Sequence, residues 1–495
     1  MEHRLEHQDQ NPIKDRFKQK IESEPNLEFI DQLFEMFPAA KIYLVGGIVR
    51  DTLIGEHVKS KDYDFIICGV PHQELEAAMT KLGQWTFAGK NFGVYKFRPY
   101  NFTLKHEFDI ALPRTEKARG TGRRADVDVQ SDHTMKVEDD LGRRDLTINA
   151  MAWDLRNHTL IDPFHGRQDL RDRKIRSVGN PFDRFTEDRS RMLRAIRFAC
   201  KFNFALDPLT YDAIESFMPR INDAELNPET NKVEKITPME TVKTEIFKTL
   251  AADPSKAFRL LEKTGAWRAI LPELDILRNN PEIWKQLKTS LEILSKENLE
   301  AELAEEYTLD VSTFHKSGDF VFAVILYYLK LALPPQVEAN TKKATRRDNP
   351  INQIYHRFVL TNPEKNKASW LIDNIDVFTT GLPTNWADQE KLLAHQHTAD
   401  ALALALIIHQ TDDQLDDHLR YENQKDAINA FGQLFAATGE LPPPLLNGRD
   451  ILQELNMDKG GPIVAEIQKK LRHLQLSGRI KDKKTAIEWL KTHSL

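Results

Sequence analysis

The segment that decides the fold runs from Lys41 to Asp64 and reads KIYLVGGIVRDTLIGEHVKSKDYD. Its first five residues are mostly apolar and predict a short buried strand. Two glycines interrupt this strand, and residues 48–54 predict a short helix that Gly55 ends. A second strand is predicted over residues 62–68, so the segment is typical of an α/β fold.

Further predicted elements follow on the C-terminal side. Residues 72–82 predict a helix, and residues 94–97 and 107–112 predict two more strands. Together they form a small mixed sheet with helices packed on it. After about residue 155 strand signals become rare and helical periodicity dominates. The clearest predicted helices cover residues 188–204, 255–264, 283–294, 399–409 and 464–476.

The predicted architecture is an α+β head with a small mixed β-sheet, followed by an all-α neck, body and tail. We assign residues 1–27 to a polar N-terminal arm, 28–155 to the head, 156–275 to the neck, 276–438 to the body and 439–495 to the tail. Residues 334–350 predict a long basic loop, and the prolines at 442–444 predict a stiff linker.

Cysteine content and hydropathy favour the cytoplasm. The chain has only two cysteines, Cys68 and Cys200, so a disulfide framework and a four-cysteine zinc site are excluded. The arm lacks the apolar core of a signal peptide. No apolar run reaches the roughly 18 residues of a membrane helix, so no membrane partner is expected.

The net charge of −6 conceals a local asymmetry. Taken alone it argues against nucleic-acid binding, but binding depends on local fields. Lysine and arginine outnumber the acids eleven to five over residues 166–202 and eight to three over residues 466–491. These counts predict two separated basic surfaces, which suit a long RNA and a salt-dependent affinity.

Two aspartates suggest a metal site. Because side chains alternate along a strand, Asp62 and Asp64 are expected on one face of the second predicted strand. Neighbouring carboxylates repel unless a cation lies between them, and oxygen ligands suit Mg²⁺. Asp109, on another predicted strand, is the candidate third ligand for two-metal chemistry. The alternative is a pair of solvated acids on an edge strand.

The glycine turn suggests a phosphate site. Gly46 and Gly47 allow close approach of the backbone, and the following helix presents free N–H groups at its start. Arg50 adds a cation three residues later. The spacing matches neither a P-loop nor a dinucleotide-binding glycine motif. The alternative is an ordinary tight turn.

Several motifs in chain order resemble those of the class II tRNA nucleotidyltransferases and bacterial poly(A) polymerases. Strong similarity covers roughly residues 41–207, and a weaker stretch covers 237–274. The motifs are L-V-G-G-x-V-R-D at 44–51, D-x-D at 62–64, R-R-D-L-T-I-N-A at 143–150, D-P-F-H-G-R-Q-D-L at 162–170 and E-D-R-S-R-M-L-R-A-I-R-F at 187–198.

The resemblance implies roles for individual residues. It implies that Asp62, Asp64 and Asp109 are catalytic and hold two Mg²⁺ ions. It implies that Asp188 and Arg191 select CTP and ATP by reading the base, and that Asp145 contacts the ribose. The other implied nucleotide-binding residues, mostly on the triphosphate, are Gly46, Gly47, Arg50, Arg144, Arg194 and Arg197.

Smaller features indicate the branch of the family. Residues 89–93 carry one basic residue where poly(A) polymerases carry two, which favours a CCA-adding enzyme. The basic loop at 114–124 resembles a flexible loop associated with A addition. Residues 446–463 resemble a C-terminal segment that holds tRNA, although a generic capped hairpin explains them equally well. Glu240-Thr241 replaces the usual Glu-Arg pair of the neck.

The function implied is template-independent addition or repair of the 3′ CCA of tRNA, with pyrophosphate released. The expected partner is tRNA, held at its acceptor end and at its elbow, and no DNA is expected. Poly(A) addition and partial CC or A addition remain open, as does an inactive RNA-binding relative. The long helical body and basic tail disfavour a small-molecule nucleotidyltransferase. His395, His397 and Asp400 are clustered in the body, but such positions are more often surface residues than a metal site.

Overall fold

The computed structural model describes residues 11–55, 62–88, 93–100, 107–118, 127–227, 231–334, 349–411, 415–436, 441–457 and 459–493. Contacts divide the chain into two compact units. The first comprises Met1–Ala252 and Arg259–Pro272, and the second comprises Asp253–Phe258 and Glu273–Leu495. Some predictions lie outside the described residues: residues 1–10 of the arm, 89–92, most of the basic loop and most of the 334–350 loop.

The first unit is built on a seven-stranded sheet with the order β3-β4-β5-β2-β1-β8-β9. Strands β2 and β5 pair in parallel and the other neighbours are antiparallel, so the predicted mixed sheet is confirmed. Strands β6 and β7 form a separate hairpin. The strands are β1 (Lys41–Val45), β2 (Asp64–Cys68), β3 (Gly83–Ala88), β4 (Val94–Pro99), β5 (Phe108–Ala111), β6 (Arg114–Ala118), β7 (Val127–Ser131), β8 (Ala152–Asp154) and β9 (Thr159–Ile161).

Helices flank this sheet and dominate the rest of the first unit. They are α1 (Asn11–Glu22), α2 (Glu28–Met36), α3 (Gly47–Ile54), α4 (His72–Leu82), α5 (Val137–Gly142), α6 (Gly166–Arg171), α7 (Pro181–Glu187), α8 (Ser190–Lys201), α9 (Pro208–Phe217), α10 (Met239–Ala252) and α12 (Ala266–Ile270). Helix α11 (Pro254–Lys263) belongs to the second unit up to Phe258 and to the first unit from Arg259.

The predicted neck is not purely helical. Two short ladders lie within it, β10 (Lys174–Ile175) with β11 (Ala205–Leu206) and β12 (Ala224–Asn227) with β13 (Lys232–Lys235). Strands of two to four residues give too short a pattern for sequence periodicity to reveal.

The structure also differs from the predicted polar arm. Residues 11–22 form α1, whose Ile13, Phe17 and Ile21 recur every four residues and give it one apolar stripe. Phe17 is fully buried and stacks on Trp153 of β8, with ring centroids 4.1 Å apart. Although residues 11–22 are mostly polar, they form a helix whose apolar stripe packs into the core on one face of the sheet.

The sheet is covered on both faces, which is why β1 reads as a continuous apolar run. One face packs Ile42, Leu44 and Phe65 against α1, α2 and α4. The other face packs Tyr43, Val45 and residues of α5. Asp64 lies on the second face, since it alternates in step with Ile66 and Cys68.

The second unit is helical throughout its described residues, as predicted for the body and tail. Its helices are α13 (Leu274–Arg278), α14 (Pro281–Leu294), α15 (Leu299–Glu306), α16 (Gly318–Ala332), α17 (Pro350–Arg357), α18 (Asn362–Thr380), α19 (Trp386–Leu393), α20 (Thr398–Thr411), α21 (Leu415–Ala436), α22 (Gly448–Glu454), α23 (Pro462–Leu476) and α24 (Lys483–His493). Residues 320–329 of α16 are all buried. Across the described ranges, none of the helices has both the length and the apolar character that crossing a bilayer requires.

Candidate active site

A cavity of about 580 Å³ opens on the β1–β2–β5 side of the sheet in the first unit. It brings together residues from four of the five motifs of the sequence prediction, whereas the motif at 162–170 contributes none of its described lining residues. Among those lining it are Gly46, Gly47, Arg50, Asp64, Asp109, Arg144, Asp145, Asp188, Arg191 and Arg194. Asp62 and Arg197 are not among the described lining residues.

Asp64 and Asp109 lie side by side. They are register partners on the parallel strands β2 and β5, so their side chains project from the same face. Burial, and then the neighbouring Asp109 carboxylate, raises the pKa of Asp64 to about 6. Each of these effects disfavours the charged form of the carboxyl group.

Asp62 is placed differently from the prediction. Strand β2 begins at Asp64, so Asp62 belongs to the exposed segment before the strand rather than to the strand itself. It is still near enough to contribute to the raised pKa of Asp64. Within the described ranges no group of three or more His, Cys, Asp and Glu side chains is arranged as a preformed metal cage. The sheet itself therefore supplies two of the three predicted ligands.

The chemistry of this pair fits a hard divalent cation. Oδ1 of Asp109 is buried and has no hydrogen-bond partner of normal geometry. The pKa of Asp64 is raised by burial and then by the neighbouring Asp109 carboxylate. A cation between them would satisfy the oxygen and relieve the repulsion. Lys96, on β4, already supplies one positive charge, with its Nζ 2.5 Å from Oδ1 of Asp109. The sequence prediction missed Lys96 because only strand pairing reveals it.

The glycine turn requires a glycine at position 46. Gly46 has φ of 73°, which L side chains rarely adopt. A Cβ there would lie 3.1 Å from Nη1 of Arg144 and 3.4 Å from Oδ2 of Asp64. The turn therefore lets the Arg144 guanidinium and the Asp64 carboxylate approach the backbone at the start of α3.

Arg50 is more constrained than the prediction implies. It is 5% exposed, and its guanidinium contacts Oδ1 of Asp51 at 2.7 Å and Oδ1 of Asn149 at 2.6 Å. It also lies over the Phe198 and Phe202 rings. Arg50 lines the cavity, but much of its hydrogen-bonding capacity is used to hold α3 against residues of the R-R-D-L-T-I-N-A motif.

Asp140 is a buried residue that sequence reasoning missed. Its Oδ1 accepts from Nε and Nη2 of Arg143 at 2.9 and 2.7 Å, and its Oδ2 lies 3.3 Å from Nη2 of Arg144. Its side chain is 1% exposed. The signal was present in the sequence, because Asp140 precedes the two arginines by three and four residues on a short helical turn.

Asp145 and Arg194 form a second buried pair. Nε of Arg194 donates to Oδ2 of Asp145 at 2.7 Å, and Asn149 donates to Oδ1 at 3.2 Å. Burial alone would raise the pKa of Asp145, but the charge of Arg194 and the Asn149 hydrogen bond outweigh it and lower the pKa. The carboxylate therefore stays ionised at neutral pH.

The acidic end of the arginine motif is arranged around Arg191. Asp188 is buried and caps the start of α8, since its Oδ1 accepts from the Ser190 N–H at 2.9 Å and the Ser190 hydroxyl at 2.6 Å. Nη1 of Arg191 contacts Oε2 of Glu187 at 2.8 Å, and its Nε lies 4.0 Å from Oδ2 of Asp188. Arg191 and Asp188 thus lie next to each other in the cavity wall, as predicted.

Arg197 points to a different partner. Its Nε donates to Oε2 of Glu245 at 2.6 Å, and Nη1 of Arg194 lies 3.8 Å from the same carboxyl group. Glu245 lies on α10 and is 7% exposed. A row repeating every three residues drifts around the helix, so its last member leaves the cavity wall. No pattern in the sequence identifies Glu245 as a partner of these arginines.

The predicted basic surface of the tail is largely ion-paired. Asn447 caps α22 with the reciprocal bonds of a capping box, so the capped-helix alternative explains part of this motif. Within the tail and with α19, acids contact five of its eight bases, namely Lys469, Lys470, Arg472, Lys483 and Lys491. In the body, His397 and Lys367 both contact Asp400, at 3.4 and 3.6 Å, which accounts for this buried carboxyl without a metal.

The family model of the poly A polymerase head domain matches residues 42–176. These residues include the Asp64–Asp109 pair, the glycine turn and the Arg143-Arg144-Asp145 motif. The segment is similar to the poly A polymerase head domain. It supplies the sheet face and the turn, while α7 and α8 of the same unit supply the arginine wall.

Curated relatives of the chain are described as CCA proteins. A multifunctional CCA protein of Xanthomonas campestris pv. campestris is 37% identical over 246 residues, which is 49% of this chain and 53% of that protein. A CCA-adding enzyme of Blochmanniella floridana is 36% identical over 243 residues, or 49% of this chain and 52% of that protein. The chain therefore spans about half the length of the curated relatives it matches.

Solved structures share the fold over nearly the whole chain. The Bacillus stearothermophilus CCA-adding enzyme in complex with CTP has a TM-score of 0.61 at 22% identity, covering 95% of this chain and 98% of that one. The Thermotoga maritima CCA-adding enzyme complexed with tRNA has a TM-score of 0.54 at 20% identity, covering 95% and 96%. At these identities the likeness concerns the fold, including the helical second unit.

Proposed function

We propose that this protein is a CCA-adding tRNA nucleotidyltransferase, which uses CTP and ATP to build or repair the 3′ end of tRNA. The observation that carries the proposal is one cavity that joins the Asp64–Asp109 pair to the Asp188–Arg191 pair. The first pair suits phosphoryl chemistry and the second suits base selection. The curated relatives support the same conclusion by their descriptions.

Two Mg²⁺ ions would be held by Asp64 and Asp109, together with Asp62 in the segment before β2. When bound, these ions supply Lewis-acid activation of the RNA 3′-hydroxyl and stabilisation of the departing pyrophosphate. The turn at Gly46 and Gly47 leaves room beside the start of α3 for the phosphates. Arg144, held by Asp140, directs positive charge to the same space.

Asp188 and Arg191 select the base without a nucleic-acid template. A carboxylate accepts from the exocyclic amine of cytosine or adenine, and a guanidinium donates to the cytosine N3 and O2 or to the adenine N1. Uracil and guanine present the opposite pattern at these atoms. The Asp145–Arg194 pair lies beside this wall and fits a role in orienting the ribose and triphosphate.

The RNA partner is a tRNA, held at its acceptor end by the first unit and at its elbow by the tail. The expected elbow contact depends on three tail cations, Arg479, Lys481 and Lys484, since acids contact the other five bases of the tail. The two cysteines are buried and form no disulfide, which favours the reducing cytoplasm as the compartment of the protein.

One assay tests the proposal. The purified chain is incubated with Mg²⁺, labelled CTP or ATP, and tRNA that ends at the discriminator base, at CC or at CCA. Growth by only the missing nucleotides supports CCA addition. A long A tail would instead indicate a poly(A) polymerase. Stalling after CC would indicate a CC-adding enzyme, and extension of only the tRNA that already ends in CC would indicate an A-adding enzyme. Asp64→Asn is the control that removes a metal ligand without changing shape, and transfer by that variant would contradict the proposal.

A further inference from the structure

Lys96 belongs to a row of side chains that crosses three strands. It is the register partner of Asp109 on the antiparallel strands β4 and β5. Asp109 is in turn the register partner of Asp64 on the parallel strands β5 and β2. Register partners project from the same face of a sheet, so the three side chains form one line, with the cation at one end.

The contact between Lys96 and Asp109 involves the oxygen that the metal assignment needs. Nζ of Lys96 lies 2.5 Å from Oδ1 of Asp109, and that oxygen is the buried one without a hydrogen bond of normal geometry. The Lys96 side chain is 41% exposed, and its four-carbon stem lets it leave this position without disturbing the strand. The ammonium and a divalent ion cannot both occupy the contact.

We propose that Lys96 is a positioning residue that occupies the metal-facing oxygen of Asp109 until a divalent cation displaces it. This inference rests on the proposed function, because it takes Asp109 to be a metal ligand. In the metal-free protein the ammonium offsets the repulsion between Asp109 and Asp64 and keeps both carboxylates in register. Metal binding is then an exchange in which the ammonium leaves Asp109 for solvent, with no proton transferred.

The contact between Lys96 and Asp109 lowers the affinity of the site for a divalent ion by an amount that can be measured. A divalent ion must break the Lys96–Asp109 pair before it gains the carboxylate, so removal of the lysine charge strengthens metal binding. For a charge pair close to the surface we expect the gain to be about tenfold. A lysine that served only to stabilise the sheet would have no such effect, since its loss would leave metal affinity unchanged or lower.

The experiment is a Mn²⁺ titration of the full chain, followed by electron paramagnetic resonance of the free ion, without nucleotide or RNA. Lys96→Met and Lys96→Gln are compared with the wild type and with Lys81→Met, which removes an exposed lysine on α4 and has the same effect on net charge. We expect the Mn²⁺ dissociation constant to fall about tenfold in both Lys96 variants. It should stay unchanged in Lys81→Met and in Lys96→Arg. An unchanged or weaker affinity in the Lys96 variants overturns the inference.

Two further measurements separate this inference from the proposed function. In an Asp109→Asn background, Lys96→Met should no longer strengthen Mn²⁺ binding, because the contested carboxylate is gone. If the wild type transfers nucleotides and Lys96→Met binds Mn²⁺ with unchanged affinity, the role of Lys96 is contradicted and the proposed transferase function is supported. If Lys96→Met binds Mn²⁺ more tightly but the wild type transfers no nucleotide, the role of Lys96 is supported and the proposed function is contradicted.

Discussion

Asp145 and Arg194 are joined by two charged contacts, from Nε and Nη2 of Arg194 to Oδ2 of Asp145, both at 2.7 Å. They link the head domain to α8 and bring the sheet face and the arginine wall into one cavity. Removing Arg194 leaves the buried Asp145 carboxylate without its ion-pair partner, which costs more than the pair itself contributes.

We therefore expect Arg194→Ala to lower the free energy of unfolding by about 3 kcal/mol at pH 7. Because the pKa of Asp145 is lowered in the fold, its contribution is fully present above its ordinary pKa of about 3.9 and is lost as the pH falls further. Urea unfolding at pH 7 and at pH 3 measures this difference. The double variant Arg194→Ala with Asp145→Asn should recover part of the loss, and a fully additive loss would contradict the coupling.

Asp64→Asn should stabilise the metal-free protein while abolishing transfer. The fold raises the pKa of Asp64 to about 6, so the ionised carboxylate opposes folding at higher pH. We expect a gain of about 2 kcal/mol at pH 8 in the presence of EDTA, which vanishes below pH about 4, where the group is protonated in both states. Thermal unfolding measures it. A lower Tm for Asp64→Asn at pH 8 would show that the carboxylate is stabilised rather than strained.

The same raised pKa predicts the pH dependence of metal binding. Divalent ions bind the ionised carboxylate, so Mn²⁺ affinity should fall as the pH drops through about 6. Titrations between pH 5 and 8 measure the midpoint. An affinity that stays flat across this range would place the metal on other groups.

Arg191→Ala should abolish the preference for CTP and ATP over UTP and GTP. The guanidinium lies in the cavity wall beside Asp188, and its loss removes the donor that distinguishes the bases. Arg184→Ala is the matched control, because Arg184 also contacts Glu187 but is not among the residues lining the cavity. Incorporation of each labelled nucleotide measures selectivity. If the nucleotide selectivity of Arg191→Ala is unchanged, residues other than Arg191 read the base.

Asp140→Asn should weaken nucleotide binding without changing the metal site. Its carboxylate orients Arg143 and Arg144, so its loss removes this restraint from both guanidinium groups. We expect KM for CTP to rise about tenfold, a cost typical of one charged hydrogen bond, while Mn²⁺ affinity stays constant. Glu138→Gln, at an exposed position on the same helix, is the control. A fall in kcat with unchanged KM would argue against a role in binding.

Much of the head could be predicted from local patterns. Strong short-range patterns predict the strand over residues 41–45, the glycine turn and the helix over residues 72–82. The structure contains all three. Strands β3 and β6 to β9 escaped prediction because short or edge strands depend on their partners more than on their own periodicity. The boundaries proposed for head, neck, body and tail stay predictions.

The candidate site divides in the same way. Seven of the residues singled out from the sequence line one cavity, namely Asp64, Asp109, Arg144, Asp145, Asp188, Arg191 and Arg194, while their roles stay predictions. Lys96 and Glu245 could not be identified, because each meets its partner only through tertiary pairing, across a strand register or between two helices. The predicted second strand includes Asp62 because the expected alternation of side chains extends two residues before Asp64, where β2 begins.

The parallel pairing of β2 with β5 has a consequence for biogenesis. A parallel pair cannot close as a hairpin, and the strand on the other side of β1 is β8, at Ala152–Asp154. During synthesis Asp64 therefore leaves the ribosome well before the central sheet can be completed. Long-range pairings of this kind form slowly. The acquisition of divalent-ion affinity by a nascent chain would accordingly report the moment at which β2 and β5 pair.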